Sequence, residues 1–373
     1  MDDTKRKIQP LRTQRNPVVI GTGLVALDVV IPNDLVTDPY LCAGGTCGNV
    51  LTALAFLGWG SYPIARLSPD GASIRVSADL RHWNVKLDFV TFGNDGSTPV
   101  IIQHIRNDKN GDPTHSFSRK CPCCGAILPW YKPVRAVDVA ELVPKLPRSQ
   151  VFFFDRTSRG ALSLAEQARD QGALVFFEPS ASSDPKLLEA ALKLAHIVKV
   201  SSDRIGRNKA VLTSTQPKIV IETQGSAGLR FRHPDSETER SKGKWHKMPP
   251  IPVESLRDTA GAGDWCTAGI IYMLGATGSR GIDELTLTEV RKAVEVGQAM
   301  ASWACGFDGP RGGMYRCDKV VFQTSVLGLL NGRADAATDM KKAAVPARER
   351  QAFACESCRE QAPPLKRRER LRG

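Results

Sequence analysis

Apolar residues fall into short runs whose periodicity changes along the chain. From Pro17, "PVVIGTGLVALDVV" is a β-branched run into glycines, followed by a second apolar run carrying Asp28. It predicts a strand with an acid just past its turn. In "GGTCGNVLTALAFLGW" (44–59), paired glycines and Asn49 precede Val50, Leu51, Leu54 and Leu57 at helical spacing, a loop entering a buried helix. "SIRVSADLRHWNV" (73–85) is amphipathic, "TPVIIQHIR" (98–106) reads as a strand, and "VFFFD" (151–155) as a short, wholly apolar one. Beyond it, helical "ALSLAEQARDQG" and "DPKLLEAALKLA" alternate with strand-like "ALVFFEPS", "HIVKVS" and "KIVIETQG". Apolar strands alternating with helices predict βαβ units and an α/β fold with a parallel sheet covered on both faces. From "WCTAGIIYMLGA" through "LTEVRKAVEVGQAMASWACG" the pattern is mostly helical.

Two stretches break the rhythm. "DKNGDPTHSFSRKCPCCGAILPWYKPV" (108–134) is rich in turn residues and cysteine and reads as an insertion rather than sheet core. Residues 333–373 are polar, Pro-broken and basic, the composition of an appended tail. The expected organisation is a core over 17–332, the insertion at 108–134, and this tail.

The chain has 373 residues, 42% hydrophobic and 24% charged, enough for a large core and unlike a disordered chain. No run approaches the about 18 uninterrupted apolar residues of a membrane helix, and the charged start leads into no signal-type core, so a soluble cytoplasmic protein without a membrane partner is expected. The formal charge is +12, but 341–373 holds ten Lys or Arg against four Glu. Half the excess is therefore a solvated tail, read as solubility and weak attraction to anions, with a protein or nucleic-acid partner of the tail as the alternative. Ten cysteines without a secretory signal point to thiols or metal ligands rather than disulfides. Cys42, Cys47, Cys266, Cys305 and Cys317 are scattered among apolar or small residues, as buried small side chains are.

Candidate chemistry concentrates in "RDTAGAGDWCTAGI" (257–270). Gly261, Ala262 and Gly263 form a small-residue turn opening a helix near Asp264, so backbone N–H groups and the helix dipole can attract an anion. Asp264, beside that anion, can accept the proton of an attacking hydroxyl. The stretch lacks the Lys and Ser/Thr that end a P-loop, and "GTGLVA" (21–26) lacks the third glycine of the dinucleotide fingerprint. On their own, Asp28, Asn49, Asp258 and Thr259 also read as turn and capping residues.

Taken together, the glycine pair before Asn49, "DTAGAGD" before an apolar helix, "ETQGSAGL" (222–229), "GLVALDVV" and "ACGFDGPRGGM" (304–314) resemble, in order, the motifs of the PfkB, or ribokinase-like, carbohydrate kinase family. The resemblance implies a three-layer α/β/α sandwich with a mainly parallel central sheet and a small β lid built from segments near 30–42 and 95–118. It implies ATP-dependent phosphorylation of a hydroxyl, as a hydroxymethyl, on a sugar or sugar-like molecule. A nucleoside kinase is the nearest alternative, and a non-catalytic binding or regulatory protein on a kinase fold the second. Asp264 would be the base and Gly261, Ala262 and Gly263 the anion hole; Asp28, Gly44, Gly45 and Asn49 would bind the substrate. Thr223, Gly225 and Gly228 would line the ATP site. Mg²⁺, a monovalent cation near Asp258, and a homodimer through the lid are implied likewise.

The sequence departs from the family at Arg204, where a Glu is usual near the metal; Asp203 could substitute, or Arg204 could contact phosphate directly. Glu178 and Ser180 stand where Asp-Pro-Asn is common, and Thr46 stands where ribokinases place Lys.

"CPCCG" (121–125) and "CESC" (355–358) are two CxxC pairs. Cys121, Cys124, Cys355 and Cys358 would make a four-thiolate structural Zn²⁺ site if the tail folds back onto the insertion. Cys123 is a spare thiol, and His115, in what reads as an exposed polar loop, is an alternative ligand.

Overall fold

In a computed structural model, the structure describes residues 16–332 apart from 34–38, 180–183, 215, 234–243 and 254. The strands are β1 (Val18–Thr22), β2 (Ala26–Ile31), β3 (Tyr40–Gly44), β4 (Gly60–Leu67), β5 (Val90–Phe92), β6 (Val100–Asn107), β7 (Pro113–Ser118), β8 (Val151–Phe154), β9 (Leu174–Phe177), β10 (Ile197–Ser201), β11 (Ile219–Thr223), β12 (Leu229–Arg232) and β13 (Trp245–Met248). The helices are α1 (Thr46–Phe56), α2 (Gly71–His82), α3 (Ala136–Leu142), α4 (Arg159–Asp170), α5 (Pro185–Leu194), α6 (Ala210–Thr213), α7 (Ala262–Leu274), α8 (Leu287–Ala304) and α9 (Lys319–Leu330).

Among the described residues a nine-stranded sheet runs β13-β12-β11-β10-β9-β8-β1-β4-β5, parallel throughout except for the antiparallel β12 and β13 at one edge. The uninterrupted apolar character of its central strands follows from burial on both faces. Phe153 and Phe176 face the core formed with α1, α7, α8 and α9. Phe152, Phe154 and Phe177 face the opposite core, with Leu164 of α4 and Leu188 of α5. Phe154 and Phe177 stack with centroids 4.4 Å apart. The predicted helices on both faces are present, with ends shifted by a few residues.

A second sheet runs β3-β2-β6-β7. Here the sequence reading needs two corrections. Asp28 lies within β2, opposite Cys42 of β3, rather than just past a turn. Part of 108–134 is sheet: β7 pairs antiparallel with β6 from Ile102↔Ser118 to Asn107↔Pro113, and its alternating pattern escaped notice among turn residues. His115 is therefore a strand residue. What remains of the insertion is a knuckle, with Cys121 N–H donating to Ala126 O (2.8 Å), Gly125 N–H to Cys121 O (2.9 Å), and a Lys120↔Ile127 bridge at its base.

The parallel strands β8, β9, β10 and β11 end on one side of the large sheet, followed by Asp155 and Glu178 after the first two and by the 201–204 and 224–228 turns after the others. In open α/β sheets ligands bind outside such strand ends. The four-stranded sheet joins the core through β2 and β3, which lead out from β1 and back into α1.

Candidate active site

The backbone brings the two glycine motifs face to face. Gly45, at φ 77°, is the N-cap of α1, and Gly261, at φ 76°, is the N-cap of α7. Each adopts the left-handed region that glycine tolerates. At Gly261 a side chain is excluded twice over, because a Cβ there would lie 2.6 Å from Pro310 Cα. Helix α7 opens at Ala262, so Asp264 sits in its first turn rather than at its start. Asn49 is likewise inside the first turn of α1 and not its cap, and its Nδ2 donates to Asp264 Oδ2 at 2.7 Å. Residues 215 positions apart in sequence thus share one hydrogen bond.

Around that bond lie unsatisfied acceptors. Asp28 Oδ1 and Asn49 Oδ1 are buried without a hydrogen-bond partner. Buried orphan oxygens are costly, and hydroxyl groups of a bound polyol would satisfy them. Gly44 leaves the space that the Asp28 carboxylate occupies, since a Cβ would overlap it. Burial pushes the Asp28 carboxyl up to about 7, opposed most by the Arg311 charge and reinforced by Asp264. Asp264 is also pushed up to about 7, first by burial and then by Glu178, with the Asn49 hydrogen bond, Arg204 and Lys199 opposing. A carboxyl held there is a base matched to neutral pH.

The 224–228 turn closes the end of β11. Thr223 Oγ1 donates to Val200 O (3.3 Å), Gln224 N–H to Gly228 O (2.8 Å), and Gly225 and Gly228 take φ of 56° and 91°. Thr223 pairs with Ser201 of β10, so this turn stands beside the 201–204 turn at the strand ends. Asp258 is fully buried and turn-forming, as its position implied, since its Oδ1 accepts from Ala260 N–H at 3.0 Å. It does more than that. Its Oδ2 accepts from Gly309 N–H (2.9 Å) and from Gln103 Nε2 of β6, and His115 Nδ1 of β7 lies 3.0 Å from Oδ1. The second sheet is therefore tied to the α7 turn through one carboxylate. His115 is engaged in the protein and not the exposed loop residue its surroundings suggested.

A scan against family models matches residues 32–314 to the pfkB family carbohydrate kinases. The chain belongs to that family. As a pfkB-family kinase it is a phosphotransferase with an alcohol acceptor. It is 26% identical over 260 residues to a fructokinase of Klebsiella pneumoniae, covering 64% of this chain and 78% of that one. To the probable fructokinase-6, chloroplastic, of Arabidopsis thaliana it is 24% identical over 309 residues, covering 74% and 75%. Among solved structures, the fructokinase of Xylella fastidiosa with bound ATP superimposes with a TM-score of 0.61 at 17% identity, covering 84% of this chain and 98% of that one. The aminoimidazole riboside kinase of Salmonella enterica gives 0.60 at 19%, covering 83% and 99%. These superpositions establish the ribokinase-like fold.

Several residues of this pfkB-family site escaped the sequence reading. Arg311 is buried, pairs with Asp79 Oδ2 at 2.5 Å, and donates to Ala43 O; Tyr315 Oη donates to Asp79 Oδ1 at 2.6 Å. This cluster holds β3 beside Asp28. Asp155, after β8, accepts from Leu24 N–H (2.9 Å) and pairs with Arg156 (2.6 Å). Lys199 pairs with Glu178 at 2.7 Å. A charge closing an apolar strand was the available signal for Asp155; Glu178 was read only as a departure from the family pattern, and Arg311 lies in the 304–314 motif without being singled out. The five scattered cysteines are buried as expected. Cys121 is buried and Cys124 exposed; Cys355 and Cys358 lie outside the described residues, as does Ser180. Among the described residues no group of three or more His, Cys, Asp or Glu is placed to hold a metal, and no helix is long and apolar enough to cross a membrane.

Proposed function

We propose that the chain transfers the γ-phosphoryl group of ATP to a hydroxymethyl group of a sugar, with Asp264 as general base. The observation that carries this reading is the Asn49–Asp264 hydrogen bond at the N-terminus of α7, beside the orphan oxygens of Asp28 and Asn49. Substrate hydroxyls donate to Asp28 and Asn49, which places one hydroxymethyl at Asp264. As its oxygen bonds to phosphorus, Asp264 takes its proton, and the N–H groups of the 261–264 turn stabilise charge on the phosphoryl oxygens. Gly44 and Gly45 let the backbone approach the sugar, and Thr223, Gly225 and Gly228 line the nucleotide. The four-stranded sheet is the lid over the sugar, and a homodimer along it belongs to the same reading, to be checked by sedimentation.

Mg²⁺, when bound, neutralises the nucleotide's phosphates. Both oxygens of Glu178 are engaged, by Lys199 and by Thr267 Oγ1 at 2.6 Å, and Arg204 replaces the usual carboxylate. The ion would therefore be held by phosphates and water with Glu178 beyond them, as suits a cation that keeps its waters. Asp258 is satisfied by nitrogen partners, so no step is assigned to a monovalent cation. A structural Zn²⁺ on Cys121, Cys124, Cys355 and Cys358 completes the proposal, supported by the paired CxxC spacing and the turn at Gly125; metal analysis and thiol titration test it.

The deciding experiment measures ATP consumption by the full chain with panels of sugars and nucleosides. Turnover of a free sugar, lost in Asp264→Asn, supports the reading. Turnover of nucleosides alone makes it a nucleoside kinase, and turnover of neither leaves a binding protein on this fold.

A further inference from the structure

One buried charge, the Lys199 ammonium, has no role in the reaction described above. Lys199, in the middle of β10, is 1% exposed, and its Nζ donates to Glu178 Oε1 at 2.7 Å. Glu178 Oε2 accepts from Thr267 of α7. An ammonium has three N–H donors. Among the described residues Glu178 is the one hydrogen-bond and ion-pair partner of Lys199, which leaves two donors unused.

Buried unused donors cost free energy, and a buried ion pair is weak ground for stability. A ligand oxygen would account for both. The location says which ligand. A Cβ placed on Gly263 would lie 3.6 Å from Lys199 Nζ and 3.9 Å from Glu178 Oε1. About one carbon atom's width therefore separates the ammonium from the turn that opens α7. The same positive charge acts on Asp264, holding its carboxyl lower than burial and Glu178 alone would leave it.

We propose that Lys199 is a further catalytic residue, whose ammonium donates its two unused N–H groups to oxygens of the transferring phosphoryl group. This rests on the phosphoryl-transfer reading. The bond from the acceptor oxygen to phosphorus forms, the bond from phosphorus to the β,γ-bridging oxygen breaks, and the hydroxyl proton goes to Asp264. Lys199 takes no part in the proton transfer and contributes charge and direction. Glu178 holds the ammonium in place before nucleotide arrives. Arg204, on the adjoining turn, lies at the more exposed side of the same group of charges.

The test separates a phosphate ligand from a staple that merely fixes α7 to the sheet. Lys199→Met, Lys199→Arg and the double variant Glu178→Gln/Lys199→Met, which strands no carboxylate, are compared with wild type by thermal melting. Calorimetry then measures Mg-ADP affinity with and without beryllium fluoride, which mimics the γ-phosphoryl. Folded Lys199→Met or the double variant should bind ADP within twofold of wild type yet lose tenfold or more of the tightening that beryllium fluoride gives. Lys199→Arg should retain most of it. In turnover, kcat should fall about a hundredfold, as for loss of one transition-state donor, with acceptor KM unchanged. Full tightening in either folded Lys199→Met variant overturns the proposal alone. Absence of tightening in wild type overturns the phosphoryl-transfer reading and this proposal with it.

Discussion

Replacing Asp264 by Asn should remove activity and make the protein more stable, and the two effects have one origin. The carboxyl is pushed from 3.8 to about 7, chiefly by burial and by Glu178. Because the folded value lies above the unfolded one, the native state holds a proton that the unfolded chain has released between about pH 4 and 7. Stability from this group is thus greatest below that window and declines as pH rises through it. Three pKa units at about 1.4 kcal/mol each set a ceiling of about 4 kcal/mol at alkaline pH. Asp264 is only partly buried, and water screening reduces the expected cost to about 1–2 kcal/mol. Asn at this position can still accept from Asn49 Nδ2, and its new amide N–H can donate to the orphan Asn49 Oδ1. The variant should melt about 1–3 °C above wild type at pH 8.5. At pH 5, about a third of the way through that window, the gain should shrink to about a third. Differential scanning calorimetry at both pH values measures this, beside an ATP-consumption assay. A variant that melts lower at pH 8.5, gains equally at both pH values, or still turns over would refute the reasoning.

Wild-type kcat should rise about tenfold per pH unit up to about 7 and then level, because a base must be deprotonated to act; a flat profile from pH 5 to 8 counts against Asp264. Gly44→Ala forces the Asp28 carboxylate aside, so acceptor KM should rise at least about tenfold with ATP KM unchanged, as steady-state kinetics can show. Gly261→Ala meets Pro310 in a left-handed conformation and should lower stability by about 1–3 kcal/mol in urea unfolding while cutting kcat. Gln103→Met removes a β6 donor to the buried Asp258 carboxylate and should cost about 1.5–3 kcal/mol in the same assay.

The sequence by itself determined the α/β class, because runs such as "VFFFD" and "ALVFFEPS" alternate with amphipathic helices, and burial on both faces leaves a local record in composition. It also determined the two glycine turns, since left-handed backbone and close approach restrict residue type at single positions. Local pattern left β7 unread, because its half-exposed strand lies among turn residues, and so misplaced His115; only the family resemblance put 95–118 in a small β lid. Only the tertiary structure decided which distant groups meet: Asn49 with Asp264, Gln103 and His115 with Asp258, Arg311 with Asp79, and Lys199 with Glu178 beside Gly263. Spacing along a chain cannot encode such pairs, because each is made where separate strand ends and helix termini converge after the sheet has formed. The pKa of Asp264 belongs to that second kind, for it depends on burial and on charges brought from other strands.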